Sequence, residues 1–258
     1  MSDWNAQRYD RFAAPRQRPC RDLLAAVPPI DATRITDLGC GTGLSTALLA
    51  ARWPHAAICA IDNSPDMLEA ARRRVGYASF KEQDIRDWHP DEPQDLILAN
   101  ASLQWLPGHR TLLPALLDRL EPGGVLAVQM PNNLQEPSHV LMRATADRPR
   151  YREHMHRLDW TREELLSVED CYDCLAGPGR VIDIWETRYH HVLPEVATLL
   201  DWFASTALKP FLDALPESEH DAFRQDYLSA LEDAYARRRD EKVLLGIPRR
   251  FIVAQREK

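Results

Sequence analysis

Arg34-Ile35-Thr36-Asp37-Leu38-Gly39-Cys40-Gly41-Thr42-Gly43 is the stretch that decides the fold. Its first half is a short run with β-branched residues, which predicts a strand. Its second half sets glycines at alternate positions, and Leu44–Trp53 follows with helical spacing, closed by Pro54. Glycines between a strand end and a helix start let the backbone bend sharply and approach a ligand closely. Alone, such a Gly-x-Gly also fits an ordinary tight turn. The surroundings favour a ligand site: strand before, helix after, and an acid, Asp62, closing the next apolar run, Ala57-Ile58-Cys59-Ala60-Ile61.

The same alternation extends outward from the corner. Asn63-Ser64-Pro65-Asp66 reads as an N-cap with Pro just inside a helix reaching to about Val75. Ser79-Phe80-Lys81-Glu82 is a third strand. Asp95-Leu96-Ile97-Leu98-Ala99-Asn100 is a fourth, and its unbroken apolar centre suits burial on both faces. A helix over Leu112–Leu120 and the turn Pro122-Gly123-Gly124 lead to a fifth strand, Val125–Met130. Strands alternating with helices imply right-handed crossovers and a parallel sheet. Beyond Pro131 the pattern is less regular. Thr161-Arg162-Glu163-Glu164 has the form of a helix start, Val181–Tyr189 is extended, His191–Gly246 reads as helix only, and Arg249–Ala254 returns to strand.

The glycine spacing separates ligands. A dinucleotide site wants Gly-x-Gly-x-x-Gly with a pyrophosphate at the helix N-terminus. Here the third glycine comes one position early, and Asp37 stands two residues before the first. A carboxylate there repels a pyrophosphate but can accept hydrogen bonds from an ammonium group. The ligand expected is one with a cationic amino-acid end and a ribose, whose two hydroxyls Asp62 can bind with its two oxygens.

Composition bounds the rest. The chain has 258 residues, 45% hydrophobic and 28% charged, with a net charge of −7, which suits a globular domain and not a general nucleic-acid binder. No apolar run reaches the roughly 18 residues of a membrane span. The polar start, Met1–Asp10, lacks a signal-peptide core, and five scattered cysteines read as reduced thiols, so the expectation is cytoplasmic. Cys171-x-x-Cys174 has the form of half a zinc site or a redox pair, but no second group stands at ligand spacing. It is read as buried small side chains, and no metal is expected. Arg72-Arg73-Arg74 and Arg237-Arg238-Arg239 are read as solvated helix faces.

Together these residues resemble motif I of the class I S-adenosylmethionine-dependent methyltransferases. Asp62 is similar to their ribose-binding acid, Gln83-Asp84-Ile85 to the segment along the adenine edge, and Asn100-Ala101 to the strand-four end beside the methionine moiety. The resemblance implies an α/β, Rossmann-like doubly wound, mostly parallel seven-stranded sheet, with an antiparallel last strand at its edge and a helical cap inserted before that strand. The implied layout is a single domain over 1–258: an N-terminal lid segment 1–30, a cofactor-binding core 31–131, irregular helices and a sixth strand in 132–190, a cap insertion 191–247 and the last strand 248–258. Cofactor contacts are expected from Tyr9, Asp37, Gly39, Cys40, Gly41, Gly43, Asp62, Asn63, Met67, Gln83, Asp84, Ile85, Asn100 and Ala101.

Within that class, Trp4-Asn5-Ala6-Gln7-Arg8-Tyr9, Asn100–Leu106, Met130–Asn133 and Asp201-Trp202 with Leu208–Leu212 resemble the trans-aconitate methyltransferases. This implies methylation of a carboxylate on a small polycarboxylic acid. A malonyl group on acyl carrier protein is the alternative acceptor, since the related enzymes share the Leu103-Gln104-Trp105 type of segment. A dinucleotide-dependent oxidoreductase and a non-catalytic sensor are the more distant readings. A carboxylate is already ionised at neutral pH, so no general base is expected and catalysis is positioning. Donors for the remaining carboxylates are expected among Arg180, Arg188, Tyr189, His190, Lys209, Arg249 and Arg250, with Trp105 as a wall; Trp105, Tyr189, His190, Lys209 and Arg180 are the foremost candidates. A monomer or weak dimer is expected.

Overall fold

The computed structural model describes residues 13–158, 162–204 and 206–257. Helix α1 (Ala13–Ala26) precedes β1 (Arg34–Leu38), α2 (Leu44–Arg52), β2 (Ala57–Asp62), α3 (Pro65–Arg74) and β3 (Ser79–Glu82). Then come β4 (Gln94–Asn100), α4 (His109–Leu117) and β5 (Leu120–Pro131). The C-terminal half adds α5 (Pro137–Ala146), α6 (Pro149–Arg152), α7 (Val168–Leu175), β6 (Arg180–Leu193), α8 (Ala197–Ala204), α9 (Lys209–Ala214), α10 (Glu217–Ala234) and β7 (Val243–Arg256). The seven strands form one sheet in the order β3-β2-β1-β4-β5-β7-β6. Strands β1 to β5 pair in parallel, and β7 is antiparallel to both β5 and β6.

This is the expected doubly wound α/β sheet, with its order reversing at β1. A ligand site therefore belongs beyond the carboxyl ends of β1 and β4. Alternation places Ile35, Leu96, Leu98, Val125 and Ala127 against α1 and α2 on one face, and Leu38, Ile97, Ala99, Leu126 and Val128 against α4 and α7 on the other. Residues buried to this degree on both faces explain the near-continuous apolar reading of β4.

Five details of the layout differ from expectation. The antiparallel last strand is not at the edge: β7 is enclosed between β5 and β6, and β6 forms the margin, because all 14 residues of β6 find partners on β7. That pairing also consumes both ends of the stretch read as helix only, since β6 runs on to Leu193 and β7 already begins at Val243. The cap is not confined to 191–247, because Met142 of α5 and Tyr151 of α6 share one core with Trp202, Phe211, Phe223 and Tyr227. Residues 1–12 of the expected lid lie outside the described residues. The following α1 is wall, not lid: its Cys20, Leu23 and Leu24, with Val27 just beyond, form one helical stripe buried against the sheet. Finally, the helix expected to start at Thr161 starts at Val168, where the Ser167 hydroxyl accepts from the Asp170 N–H at 2.9 Å.

Candidate functional site

All three glycines of the corner adopt positive φ, at +74° for Gly39, +53° for Gly41 and +79° for Gly43, so each needs the left-handed region. What surrounds each one differs. A side chain on Gly39 would stand 2.4 Å from Cβ of Ser102, and one on Gly43 would stand 3.0 Å from Cα of Ala71. Those two glycines serve close packing against the β4 loop and α3. Gly41 alone has open space where its side chain would be, with nothing within 4 Å. It is the glycine that leaves room for a ligand.

The corner is fastened from three sides. Asp62, at the end of β2, accepts from the Gly41 N–H at 2.8 Å and from the Ser64 N–H at 3.0 Å. Burial pushes its carboxyl above the usual range, against the pull of those backbone donors. A carboxylate oxygen carries two lone pairs, so both oxygens keep capacity for ribose hydroxyls. The Ser102 hydroxyl donates to the Leu38 carbonyl at 2.6 Å, tying the β4 loop to the corner. From the last turn of α3, Arg74 reaches Thr42 Oγ1 at 2.8 Å. That arginine belongs to a run read as a solvated face, and while all three of its residues are exposed, Arg74 also clamps the corner.

Asp37, expected to face an ammonium group, keeps Oδ1 buried and without a hydrogen-bond partner, while its other oxygen is engaged by α2. It is fully buried, and one oxygen accepts from the hydroxyls of Ser45 and Thr46, each at 2.7 Å. Burial raises its carboxyl to about 6, opposed by those two hydroxyls. Its role here is to hold the first turn of α2 under the corner.

The remaining candidates on the cofactor side spread along the sheet top. Cys40 and Met67 are buried beneath the corner, Asn63 is exposed beside Asp62, and Ile85 packs against Gly39. Gln83 donates to the Asp87 carbonyl. Asp84 binds the Arg86 guanidinium at 2.7 Å, which holds its carboxyl below the usual range. Ala101 is one of two non-glycine residues described at positive φ, at 56°, and its N–H donates to the Gln129 carbonyl. That kink ends β4 and leaves Asn100 Oδ1 buried without a hydrogen-bond partner. Tyr9 lies outside the described residues.

The acceptor-side candidates mostly lie elsewhere or are engaged. Arg180 is at the opposite edge of the sheet. Strand β6 runs in the same direction as β5 with β7 between them, so its first residue pairs with Arg256 near the amino end of β5. It stands five residues below Trp185, the level of Asn100 and Gln129, or about 16 Å along the strand. There it binds Asp118 at 3.0 Å. The Tyr189 hydroxyl donates to Asp22 at 2.6 Å, Lys209 pairs with Asp213 at 3.0 Å, and His190 is exposed. Arg188 grips Glu136 through both terminal nitrogens, and Arg250 grips Glu186. Trp105 is 36% exposed on a short 3-10 turn after β4.

Arg249 is the one of these candidates that joins the tier of polar residues above the apolar face. Along that face the strands end in Asp37, Asn100, Gln129 and Arg249, and the Arg249 guanidinium donates to Gln129 Oε1 at 3.1 Å. Two further arginines, missed in the sequence, converge here. Arg162 donates to the Pro131 carbonyl at 2.7 Å and to Asn133 Oδ1 at 2.9 Å, and its guanidinium lies 5.4 Å from the Trp105 ring centroid. Burial, then the charges of Arg249 and Arg143, push it down to about 10. Arg143, on α5, donates to the Leu134 carbonyl. His139, one turn before it, is pushed down to about 3 by burial and by Arg162 and Arg143. Only the long-range chain path assembles these cations, so no local spacing announced them.

Comparison with known proteins agrees with this geometry. A family model described as a methyltransferase domain matches residues 35–124. Across the full chain, the sequence is 48% identical to a trans-aconitate 2-methyltransferase of Escherichia coli, with 99% of each chain covered. It is 46% identical to the enzyme of that name from Afipia carboxidovorans, covering 99% of this chain and 100% of the relative. Among solved structures, the YcgJ protein of Bacillus subtilis superposes with a TM-score of 0.58 at 12% identity, covering 93% of this chain and 98% of that one. The plantazolicin methyltransferase BpumL, solved with S-adenosylhomocysteine, gives 0.52 at 15% identity, covering 98% and 88%. At such identities these two structures speak for the fold.

Proposed function

This chain belongs to the trans-aconitate 2-methyltransferase family, and from that premise we propose that it transfers a methyl group from S-adenosylmethionine to a carboxylate of trans-aconitate, giving a monomethyl ester. The observation that carries the reading is the open space at Gly41 beside the pinned carboxylate of Asp62. Asp62 would hold the ribose of a bound cofactor, Gln83, Asp84 and Ile85 would hold its adenine, and Asn100 and Ala101 would hold its methionine end. Asn63 and Met67 flank the ribose, Gly39, Cys40 and Gly43 shape the corner, and Asp37 supports it from below.

When bound, S-adenosylmethionine supplies a methyl on a sulfonium: the acceptor oxygen–carbon bond forms, the carbon–sulfur bond breaks with its electron pair left on sulfur, and no proton moves. The chain's own residues therefore need only hold, align and dry the reactants. Positioning of this kind supplies on the order of 7–11 kcal/mol. Charge is neutralised as the reactants meet, which a water-poor pocket favours.

The reaction is placed in the cytoplasm, in keeping with five free cysteines, and the chain acts as a monomer or weak dimer. Among the described residues, no helix is long and apolar enough to cross a membrane. The test is a labelled-methyl assay over a panel of small acids. A base-labile methyl ester on trans-aconitate supports the reading, and none on any acid rejects it. Strict dependence on added acyl carrier protein would move the acceptor to a malonyl thioester.

A further inference from the structure

We propose that Arg143, Arg162 and Arg249 form a receptacle for the carboxylates of the acceptor that do not react, which makes this chain select polycarboxylates over monocarboxylates. The proposal rests on the acid-methylating reading above and specifies which groups choose the acid.

Two strands, a loop and helix α5 meet at the receptacle. Arg249 on β7 pairs with Pro131 at the end of β5, and the Pro131 carbonyl holds Arg162. Arg162 donates to the Asn133 side chain and Arg143 to the carbonyl of the next residue, Leu134, so the two guanidinium groups are held by consecutive residues of one loop. Among the described residues, no ion pair joins Arg143 or Arg162 to an acid; the nearby acids Glu136 and Glu186 are held by Arg188 and Arg250. Converging cations in a largely buried place repel one another unless an anion enters, and a guanidinium fork fits a carboxylate with two parallel hydrogen bonds. Arg162 Nε is buried and without a hydrogen-bond partner, as are Nε2 of Gln129, whose other amide atom binds Arg249, and Oε1 of Gln104, the residue before Trp105. Buried polar atoms of this kind call for a partner.

The location also suits the reaction. The glycine corner closes β1, and Arg249 lies three strands along the same sheet top, through β4 and β5. At about 4.8 Å per strand that is about 14 Å, enough for a methyl donor end and a six-carbon acid between them. The arginines thus act at a distance from the methyl group. That is required, because a guanidinium on the reacting oxygen would withdraw the charge that makes it a nucleophile. Trp105, under the Arg162 guanidinium, fixes that side chain by its ring face.

The experiment has two arms. In the first, wild-type enzyme is given trans-aconitate and analogues in which one or two carboxylates are replaced by carboxamide. Each replacement of a non-reacting carboxylate should lower kcat/KM by about 10- to 100-fold. In the second, Arg162→Gln and Arg143→Gln should raise KM for trans-aconitate by a similar factor while calorimetry shows cofactor affinity unchanged; Arg162→Lys, which keeps the charge but not the fork, should fall between. Equal kcat/KM across the analogue series, or wild-type KM in both Gln variants, overturns the proposal. If a variant does not fold, the analogue series decides alone. Wild-type enzyme that methylates no acid fails the functional reading itself, a result distinct from methylation without discrimination.

Discussion

Replacing Gly39 and Gly41 one at a time by alanine should separate folding from ligand binding. Both residues are in the left-handed region, so alanine at either position costs about 1–2 kcal/mol of backbone strain. At Gly41 nothing more is lost, because the new methyl group meets open space. At Gly39 the methyl stands 2.4 Å from Cβ of Ser102, and Ser102 is itself held by its bond to the Leu38 carbonyl. Overpacking of that kind adds about 1–3 kcal/mol, giving about 2–5 kcal/mol in all. For a chain of this size each kcal/mol moves Tm by about 2–4 °C. Gly41→Ala should therefore melt about 2–8 °C below wild type without ligand, and Gly39→Ala about 4–20 °C below. Binding should run in the opposite order. The Gly41→Ala methyl fills ligand space and should weaken S-adenosylmethionine by about 5- to 150-fold, the equivalent of about 1–3 kcal/mol. Differential scanning calorimetry and isothermal titration measure both quantities on the same preparations. A Gly41→Ala protein with wild-type affinity would refute the assignment of that open space to the cofactor, and Gly39→Ala no less stable than Gly41→Ala would refute the packing argument.

Asp62→Ala should weaken cofactor binding by about 1.5–3 kcal/mol, since it removes both the ribose acceptor and the anchor of the Gly41 N–H; unchanged affinity in a titration removes Asp62 from the site. Asp37 and His139 should give opposite pH dependences of stability. The folded carboxyl of Asp37 is raised from 3.8 to about 6, so its contribution is lost as pH rises through that window, by a few kcal/mol in all; the wild-type minus Asp37→Asn difference in unfolding free energy should fall from pH 4 to 6, and a flat or rising difference contradicts the burial argument. His139 is lowered from 6.5 to about 3, so its contribution is lost as pH falls below 6.5, and the difference against His139→Gln should rise with pH between 4 and 6.5. Arg180→Ala should leave kcat/KM unchanged and cost at most about 1 kcal/mol of stability through its ion pair with Asp118; a tenfold loss of kcat/KM would contradict its position at the far edge of the sheet.

Much of the cofactor side was legible because it is local. A corner of alternate glycines, the acid closing β2 and the end of β4 each carry their meaning within a few residues, and the parallel sheet brings their carboxyl ends together without further instruction. Asp37 was legible as important but not in its role. Its spacing suggests a ligand contact, while its partners, Ser45 and Thr46, lie in the first turn of α2 and become visible only when that helix folds back over the strand. The acceptor side was not legible in the same way. Arg180 stood among the foremost candidates and Arg249 did not, and only strand direction places Arg180 at the far end of the sheet and Arg249 beside Gln129.

The sequence by itself determined the alternating α/β order, the glycine corner and the acid opposite it, because each depends on backbone sterics and short-range periodicity that act within a single turn or strand. The tertiary structure decided that β7 is enclosed and β6 marginal, that α1 is wall, and that arginines at 143, 162 and 249 are all held around residues 131–134. Those outcomes depend on pairing and charge across more than a hundred residues of chain, where nothing in the local pattern distinguishes a side chain that will face solvent from one that will face another cation.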